Sequence, residues 1–454
     1  MRRTALSLSF VICHFSFCVA QTLEVCQQAA ERNYPLIQQY GLIEQTTELT
    51  VANIQKGWLP QVTASAQATY QSDVAAWPDQ MKAMMAGMGI DMKGLKKDQY
   101  RVGIDVSQTV FDGGVIKHGK AIAREQGKVQ SAQNEVSIYQ VRRRVNEMYF
   151  ALLMLDEQIK LNLDLQELLA GNERKLTSMV KGGTAADSDL QNVKAERLNA
   201  VQKAIALESQ KQMLLRMLSA FCGIEVKAPK APKAPLSPPE GGTIAPATRK
   251  TIEAPSGAVG GAWRTYNSLR PELKAIDAQI EMLNAQEKAL DAALMPKVGV
   301  FAQGFYGYPG LNMFDDMMRH HWSLNGIVGA RLTWNIGALY TRKNDKAKLN
   351  TQRSSLNVQR ETFLFNNRLE QIQQNENIAR YQKLMATDEE IIALRQAVRK
   401  AAESKLSHGI IDVNDLVREI NQENAARVQR SMHEIEMLKE VYELMFTRNL
   451  DMMK

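Results

Sequence analysis

The chain has 454 residues, of which 45% are apolar, and it carries a formal net charge of +7. Its lysines and arginines are interspersed with acidic residues along helical stretches, which argues against a nucleic-acid-binding patch and favours solvent-exposed helix faces. No G-x-S-x-G, G-x-x-x-x-G-K-[ST] or H-E-x-x-H motif occurs in the sequence. We therefore expect no enzymatic activity and no cofactor.

The N-terminus has the three parts of a secretory signal peptide. Arg2 and Arg3 precede an apolar run over residues 5–19, and the small residue Ala20 follows it. This order of a basic segment, an apolar segment and a small residue is typical of a cleaved leader. The sequence therefore predicts a signal peptide over residues 1–20 and export of the remaining chain.

Cys26 and Cys222 are the two cysteines that lie beyond the predicted signal peptide. Two cysteines are too few for a disulfide scaffold, even in a chain that meets an oxidising compartment. Free cysteine behaves as a small hydrophobic residue, so we interpret both as buried thiols. A bridge between them is the alternative.

A pair of alternating strands followed by a long helical pattern occurs twice in the sequence. In the first copy, residues 59–72 and 99–112 alternate between apolar and polar side chains, which predicts two β-strands. Residues 114–181 contain no proline and place apolar residues at spacings of three and four. They predict one helix on the order of 100 Å long. The first repeat, residues 21–225, therefore consists of an initial helix, the two strands, the long helix and a return helix over residues 187–222.

The same order returns in the second repeat, residues 262–454. After an initial helix, strands are predicted over residues 296–307 and 322–335. A long helix is predicted over residues 338–407 and a return helix over residues 412–450.

Residues 226–261 separate the two repeats. They contain Lys-Ala-Pro repeats and seven of the thirteen prolines in the chain. Such a composition is typical of an extended linker that has no hydrophobic core.

Four long strands in one chain cannot close a membrane barrel, because the smallest transmembrane barrels have eight. After the signal peptide no run of eighteen apolar residues occurs, so strands would have to make any membrane crossing. The fold class predicted is mainly α with a β-barrel part. Long antiparallel helices form a coiled-coil barrel, and four strands per chain complete a 12-stranded barrel as a trimer. The alternatives are an exported coiled-coil rod with a small soluble sheet and a nutrient-receptor barrel, which is disfavoured because no plug domain precedes the strands.

Short motifs in a fixed order lead to a family resemblance. They include Trp58-Leu59-Pro60 before the first strand, Ser107 to Gly114 at the end of the second, Arg270-Pro271-Glu272-Leu273, and two glycine-containing turns after the long helices. Each motif is weak by itself, but their order and duplication are specific. On these residues the chain resembles the TolC family of outer-membrane efflux proteins over essentially its whole mature length.

The resemblance implies a homotrimer in the cell outer membrane, with a helical barrel that projects into the periplasm. Its partners would be a periplasmic adaptor protein, an inner-membrane pump of the RND or ABC type, and outer-membrane lipid. It would act as a passive exit duct in tripartite efflux or type I secretion. The transported substrate and the class of pump stay open.

The resemblance also implies a role for the two turns that end the long helices. In the family the tips of these turns contact the adaptor. Glycine suits such a contact because it lets another backbone approach closely. The corresponding residues here are Gly182, Gly183, Thr184, Ala185, Gly409, Ile410 and Ile411.

The family closes its periplasmic mouth near these turns with polar links and acidic rings. Asp189 and Asp415 fall on matching positions. The chain departs from the family pattern at Leu406, Ile411 and Arg418. A link from Arg418 to an aspartate of a neighbouring helix is a possible substitute, worth about 0–1 kcal/mol if exposed.

Methionines in the connections between the strands suggest a metal-specific variant of this function. Thioether sulfur is a soft ligand that suits Cu(I) or Ag(I). The weak candidate ligands are Met84, Met85, Met317 and Met318. We favour the alternative, in which these methionines cover flexible loop surfaces.

Overall fold

The computed structural model of the protein describes residues 22–227 and 270–449. The predicted signal peptide, residues 228–261 of the predicted linker and residues 262–269 of the second repeat lie outside the described residues. So do residues 450–454.

Helices dominate the described chain, and four strands form its sheet. Among the α-helices, α4 has 67 residues and α8 has 69. Three 3₁₀ turns lie at Pro35–Gln38, Lys56–Trp58 and Ile336–Ala338. The elements in chain order are α1 (Leu23–Asn33), α2 (Gln39–Gln55), β1 (Gln61–Tyr70), α3 (Asp79–Gly87), β2 (Asp98–Phe111), α4 (Val115–Lys181), α5 (Asp187–Cys222), α6 (Pro271–Ala293), β3 (Lys297–Tyr308), α7 (Met313–Arg319), β4 (Ser323–Thr333), α8 (Leu339–Ser407) and α9 (Val413–Arg448).

Local interactions fix where α5 ends and where α9 begins. Helix α5 ends at Cys222 because Gly223 adopts a left-handed φ of 68°, and its N–H donates to the Ser219 carbonyl at 2.9 Å. Helix α9 begins after Asp412, whose carboxylate accepts the N–H of Asp415 at 2.9 Å. Within the described residues no helix combines the length and the apolar character that a membrane span requires.

The chain divides into two compact units. The first unit takes in the described residues of Met1–Gln38, Glu135–Pro271 and Phe363–Lys454, and the second those of Gln39–Asn134 and Glu272–Thr362. Each unit therefore contains segments of both sequence repeats.

The core of the first unit joins helices from both repeats. Leu23 of α1, Tyr149 of α4 and Leu218 of α5 are fully buried there, and Tyr442 of α9 packs with them. Burying an apolar side chain of this size contributes about 1.5–3 kcal/mol relative to leaving it exposed. The terminal helix of the second repeat thus helps to stabilise the first repeat.

The second unit contains an antiparallel sheet in the order β1-β2-β3-β4. Its register pairs Ala64 with Ile104, Ile104 with Gly304, and Gly304 with Gly326. Strands β2 and β3 come from different repeats, so their pairing joins the repeats into one sheet. The predicted fold class, mainly α with four antiparallel strands per chain, is confirmed.

Two short helices occupy connections that the sequence analysis treated as loops. Helix α3 follows Pro78, and helix α7 follows Asn312, whose side chain accepts the N–H of Asp315 at 3.3 Å. Each has fewer than ten residues, so hydrophobic periodicity gave little signal for it.

Candidate functional site

The two turns that end the long helices lie next to each other in the first unit. The first turn, residues 182–186, joins α4 to α5, and the second, residues 408–412, joins α8 to α9. Ala185 of the first turn and Leu406, just before the second, pack against one buried cluster. Its members come from α4, α5 and α9 and are Leu176, Leu190, Val193 and Val413. The structure therefore brings the predicted tip residues together.

A glycine in the left-handed region shapes each turn. Gly183 has a φ of 75° and Gly409 a φ of 67°, a conformation that residues with a Cβ rarely adopt. The chain then folds back on its helix, since the Thr184 N–H donates to Met179 O at 2.9 Å and the Ile410 N–H donates to Lys405 O at 3.0 Å. A Cβ added at either glycine would meet no atom within 4 Å. The backbone at both positions is therefore open to an approaching partner.

Exposure differs among the predicted tip residues. Gly182, Gly183, Thr184 and Gly409 are exposed, whereas Ala185 and Ile411 are half-buried. Ile411 packs against a second buried cluster, which is formed by Leu169, Ala200, Ala402, Leu416 and Ile420. Ile410 is 69% exposed, so it is the apolar side chain that the second turn presents to solvent.

The predicted gate residues lie near the starts of the return helices, Asp189 and Asp415 in the first turn and Arg418 in the second. Arg418 Nη2 lies 3.0 Å from Asp415 Oδ1, and its Nε lies 3.7 Å from Glu419 Oε1. Both carboxylates belong to the same helix as Arg418, so this ion pair runs along α9. Asp189 is half-buried at the start of α5. A link from Arg418 to a neighbouring helix stays a prediction.

Polar contacts connect α5 with α9 behind the turns. Asn192 Nδ2 donates to Asn414 Oδ1 at 3.3 Å, and Asn421 Nδ2 donates to Glu196 Oε1 at 2.8 Å. The two helical hairpins are thus joined by side chains that the sequence analysis did not single out.

A buried charge network lies further along α8 and α9. Glu423 is only 4% exposed and accepts hydrogen bonds from Arg399 and, at 2.7 and 3.0 Å, from Arg427. Arg399 also donates to Glu403. Burial alone would raise the pKa of Glu423, but these guanidinium groups hold its pKa below the usual value. We call these four residues the Glu423 network.

The Glu423 network lines a polar cleft of about 470 Å³ together with Arg174, Lys175 and Glu167 of α4. The sequence analysis missed it. The spacing of four residues between Glu423 and Arg427 was a usable signal for the pair within α9. The link from α9 to α8 required knowledge of which helix faces pack together.

The sheet of the second unit presents one apolar face across all four strands. Its register places Val102 beside Ala66 on β1 and beside Tyr306 on β3, and Tyr306 beside Leu324 on β4. No described part of the chain covers this face: Val328 is 85% exposed and Leu324 is 82% exposed. Exposed apolar area of this kind marks a surface that another molecule or a lipid covers.

The opposite face of the sheet is mostly polar. Thr63 pairs with Asp105, and Asp105 pairs with Gln303. An aromatic ring on this face makes a cation–π contact, since the Arg101 guanidinium lies 3.8 Å from the centroid of the Phe305 ring. The sheet therefore separates an apolar side from a water-compatible side.

Tryptophans flank the two ends of β4. Trp322 stacks on Tyr100 with a centroid distance of 5.9 Å, and the Trp334 indole N–H donates to Leu294 O at 3.0 Å. Aromatic side chains at both ends of a membrane-crossing segment are typical of the lipid–water interfaces.

The four candidate metal ligands lie on two short helices, Met84 and Met85 on α3, Met317 and Met318 on α7. Met317 is buried against Leu95 and Tyr308. Over residues 22–227 and 270–449, no group of three or more His, Cys, Asp or Glu residues could hold a metal ion. Packing accounts for Met317 without a metal.

Comparison with known proteins finds one matching family and several solved structures with a similar fold. Residues 26–223 match the family model for "Outer membrane efflux protein". No curated protein matches the sequence significantly. Similar solved structures include CusC, with 12% identity, a TM-score of 0.62 and coverage of 94% of this chain and 91% of that one. The CmeC outer membrane channel of Campylobacter jejuni has 12% identity, a TM-score of 0.60 and coverage of 94% and 85%.

The outer membrane protein VceC of Vibrio cholerae has 11% identity, a TM-score of 0.61 and coverage of 94% of this chain and 95% of that one. At such low identity the solved structures show the fold alone, and the family match supports the resemblance to efflux proteins. Together they confirm the predicted resemblance, the outer-membrane location and the prediction that the chain is a channel and not an enzyme. Residues 26–223 therefore resemble the outer membrane efflux protein family, and the chain has the fold of these solved outer-membrane channels.

Proposed function

We propose that the chain is the exit duct of a tripartite efflux or type I secretion system. As a homotrimer, it would conduct substrates passively from a periplasmic adaptor and an inner-membrane RND or ABC pump to the exterior. The observation that carries this proposal is the uncovered apolar face of the four-stranded sheet.

The sheet supports both the membrane position and the number of copies. The strands have 10 to 14 residues, and about nine to eleven tilted residues cross a bilayer. Strands β1 and β4 are the edges of the sheet, and unpaired edge groups are not tolerated in lipid. Pairing β1 of one copy with β4 of the next removes the edges, and three copies give a closed twelve-stranded sheet.

The helices of the first unit support the same assembly. Helix α8 exposes Phe365, Leu369 and Ile372, which lie at spacings of four and three on one stripe. Helix α5 exposes Leu198 and Ile205, seven residues apart. Apolar stripes with these spacings are typical of helices that pack against further helices, and neighbouring copies of the chain would supply them.

The two turns would form the docking end of the duct. They offer the open backbone of Gly183 and Gly409 and the exposed Ile410, while Asp189, Asp415 and Arg418 lie just behind them. An adaptor would contact the turns, and the charged residues would line the mouth. Gly182, Thr184, Ala185 and Ile411 complete the proposed contact surface.

A matched pair of substitutions on β4 tests the proposal. Val328 lies in the middle of β4 on the apolar face, and Ile327 is its neighbour on the opposite face. A lysine on the lipid side near the bilayer midplane costs about 2–4 kcal/mol, whereas a lysine on the water side is tolerated. We expect Val328→Lys to lose the detergent-extractable trimer from outer-membrane fractions and Ile327→Lys to keep it.

Two results would contradict the proposal. Equal amounts of trimer in both variants would mean that the apolar face does not meet lipid. A wild-type chain recovered as a soluble monomer would favour the exported coiled-coil rod. Restored drug resistance in a strain that lacks its own outer-membrane channel would separate a working duct from a membrane-bound but inactive trimer.

A further inference from the structure

Cys26 of α1 and Cys222 at the end of α5 meet in the core of the first unit. Their exposures are 0% and 2%. The Cys222 thiol donates to the carbonyl oxygen of Cys26 with a sulfur–oxygen distance of 3.4 Å. The two cysteines therefore lie side by side in one buried cluster, although they are far apart in the sequence.

Contacts on both sides hold the two helices together at this point. Asn33 Nδ2 donates to the carbonyl oxygens of Ala220 and Phe221 at 3.2 and 3.3 Å, which caps the end of α5. The rings of Tyr34 and Phe221 lie 5.5 Å apart. Buried residues of both helices surround the thiols, namely Leu23, Ala30 and Leu218. The folded chain thus positions the two cysteines in one fixed pair.

The chain offers these cysteines no competing partner after export. Its other two cysteines, Cys13 and Cys18, lie within the predicted signal peptide. The outer-membrane location places the folded chain outside the reducing cytosol, in a compartment where disulfides form and persist. A neighbouring pair of thiols in that compartment is a substrate for oxidation.

We propose that Cys26 and Cys222 form a disulfide bond in the exported protein. Both S–H bonds break, one S–S bond forms and two protons are released. The two electrons and these two protons pass to the disulfide of a periplasmic thiol oxidoreductase, which becomes a dithiol. Because both thiols are buried in the folded chain, this exchange takes place before the core closes.

The bond would fasten the first helix of the mature chain to the last helix of the first repeat. It would close a loop from residue 27 to residue 221, and a crosslink across a long loop restricts the unfolded chain strongly. The proposal needs only export of the chain. It is independent of conduction, docking and the number of copies.

Peptide mapping of the wild-type protein tests the proposal directly. Full-length protein is taken from the outer-membrane fraction after an acid quench, and free thiols are blocked with N-ethylmaleimide under denaturing conditions. Trypsin then releases Cys26 in residues 21–32 and Cys222 in residues 217–227, each with one cysteine. We expect most chains to give one crosslinked species that dithiothreitol separates into the two peptides. Recovery of both peptides carrying N-ethylmaleimide would overturn the proposal.

A stability measurement gives a second, independent readout. Reduction should lower the unfolding temperature of the wild-type protein by several degrees. The variants Cys26→Ala and Cys222→Ala have no bond to lose, so reduction should leave their unfolding temperatures unchanged. An equal effect of reduction on the wild type and on either variant would contradict the proposal, even if that variant is less stable.

Discussion

The Glu423 network makes a quantitative prediction about the helical hairpin behind the turns. The substitution Glu423→Gln removes a buried carboxylate that accepts hydrogen bonds from Arg399 and, twice, from Arg427. Breaking a buried ion pair from one side costs about 3–5 kcal/mol. We expect the lower end, about 3 kcal/mol, because Glu403 stays with Arg399 and the more exposed Arg427 can turn to water.

Glu434→Gln is the matched control on the same helix. Glu434 is exposed and pairs with Arg430, so its loss should cost only about 0–1 kcal/mol. Thermal unfolding of the detergent-purified protein measures both variants against the wild type. The reasoning is refuted if the two substitutions lower the unfolding temperature equally, or if Glu423→Gln leaves it unchanged.

The same network predicts an acid-sensitive contribution to stability. The pKa of Glu423 is lower in the folded chain than in the unfolded chain. Its stabilising contribution is therefore fully present above the unfolded pKa and is lost as the pH falls through the folded pKa. The difference in unfolding temperature between wild type and Glu423→Gln should shrink on acidification. A difference that is constant from pH 7 to strongly acidic conditions would contradict this.

Three further predictions concern the turns and the methionines. Ile410→Asp should reduce crosslinking to the adaptor several-fold while the unfolding temperature stays unchanged, and unaltered crosslinking would remove Ile410 from the docking surface. Arg418→Glu places a third negative charge beside Asp415 and Glu419, so it should raise the conductance of the closed channel in planar bilayers. Arg418→Lys keeps the positive charge and should leave the conductance unchanged. Equal conductance of the Arg418→Glu and Arg418→Lys channels would exclude Arg418 from the gate. Leucine at all four candidate metal ligands, Met84, Met85, Met317 and Met318, should leave copper tolerance unchanged, and a loss of tolerance would favour a Cu(I)/Ag(I) duct.

The sequence predicts the larger elements well because their signals are long. Residues 115–181 have no proline to interrupt a 67-residue helix, and β1 and β2 alternate over ten or more positions. The short helices α3 and α7 fall below the length at which periodicity is informative. Methionine and aspartate in these segments are compatible with both loop and helix.

The sequence likewise predicts only part of the candidate site. A glycine at the end of a long helical pattern marks both turns, and the capping residue Asp412 follows the second one, so Gly183 and Gly409 could be found without a structure. The sequence could not predict that both turns pack against the buried cluster around Val413, because this contact depends on packing between helices from different repeats. The sequence left two buried thiols and a bridge as the alternatives for Cys26 and Cys222. That the two cysteines lie side by side could not be predicted, because it depends on the packing of α1 on α5.

The pairing of β2 with β3 has a consequence for how such a chain can be divided. Eleven residue pairs, from Tyr100–Tyr308 to Phe111–Val298, join strands that belong to different repeats. A gene cut between the repeats would give two polypeptides, each with a hairpin whose inner strand lacks its neighbour. Produced together, these halves carry complementary hydrogen-bonding edges and should reassemble by fragment complementation, whereas either half produced alone should aggregate or be degraded.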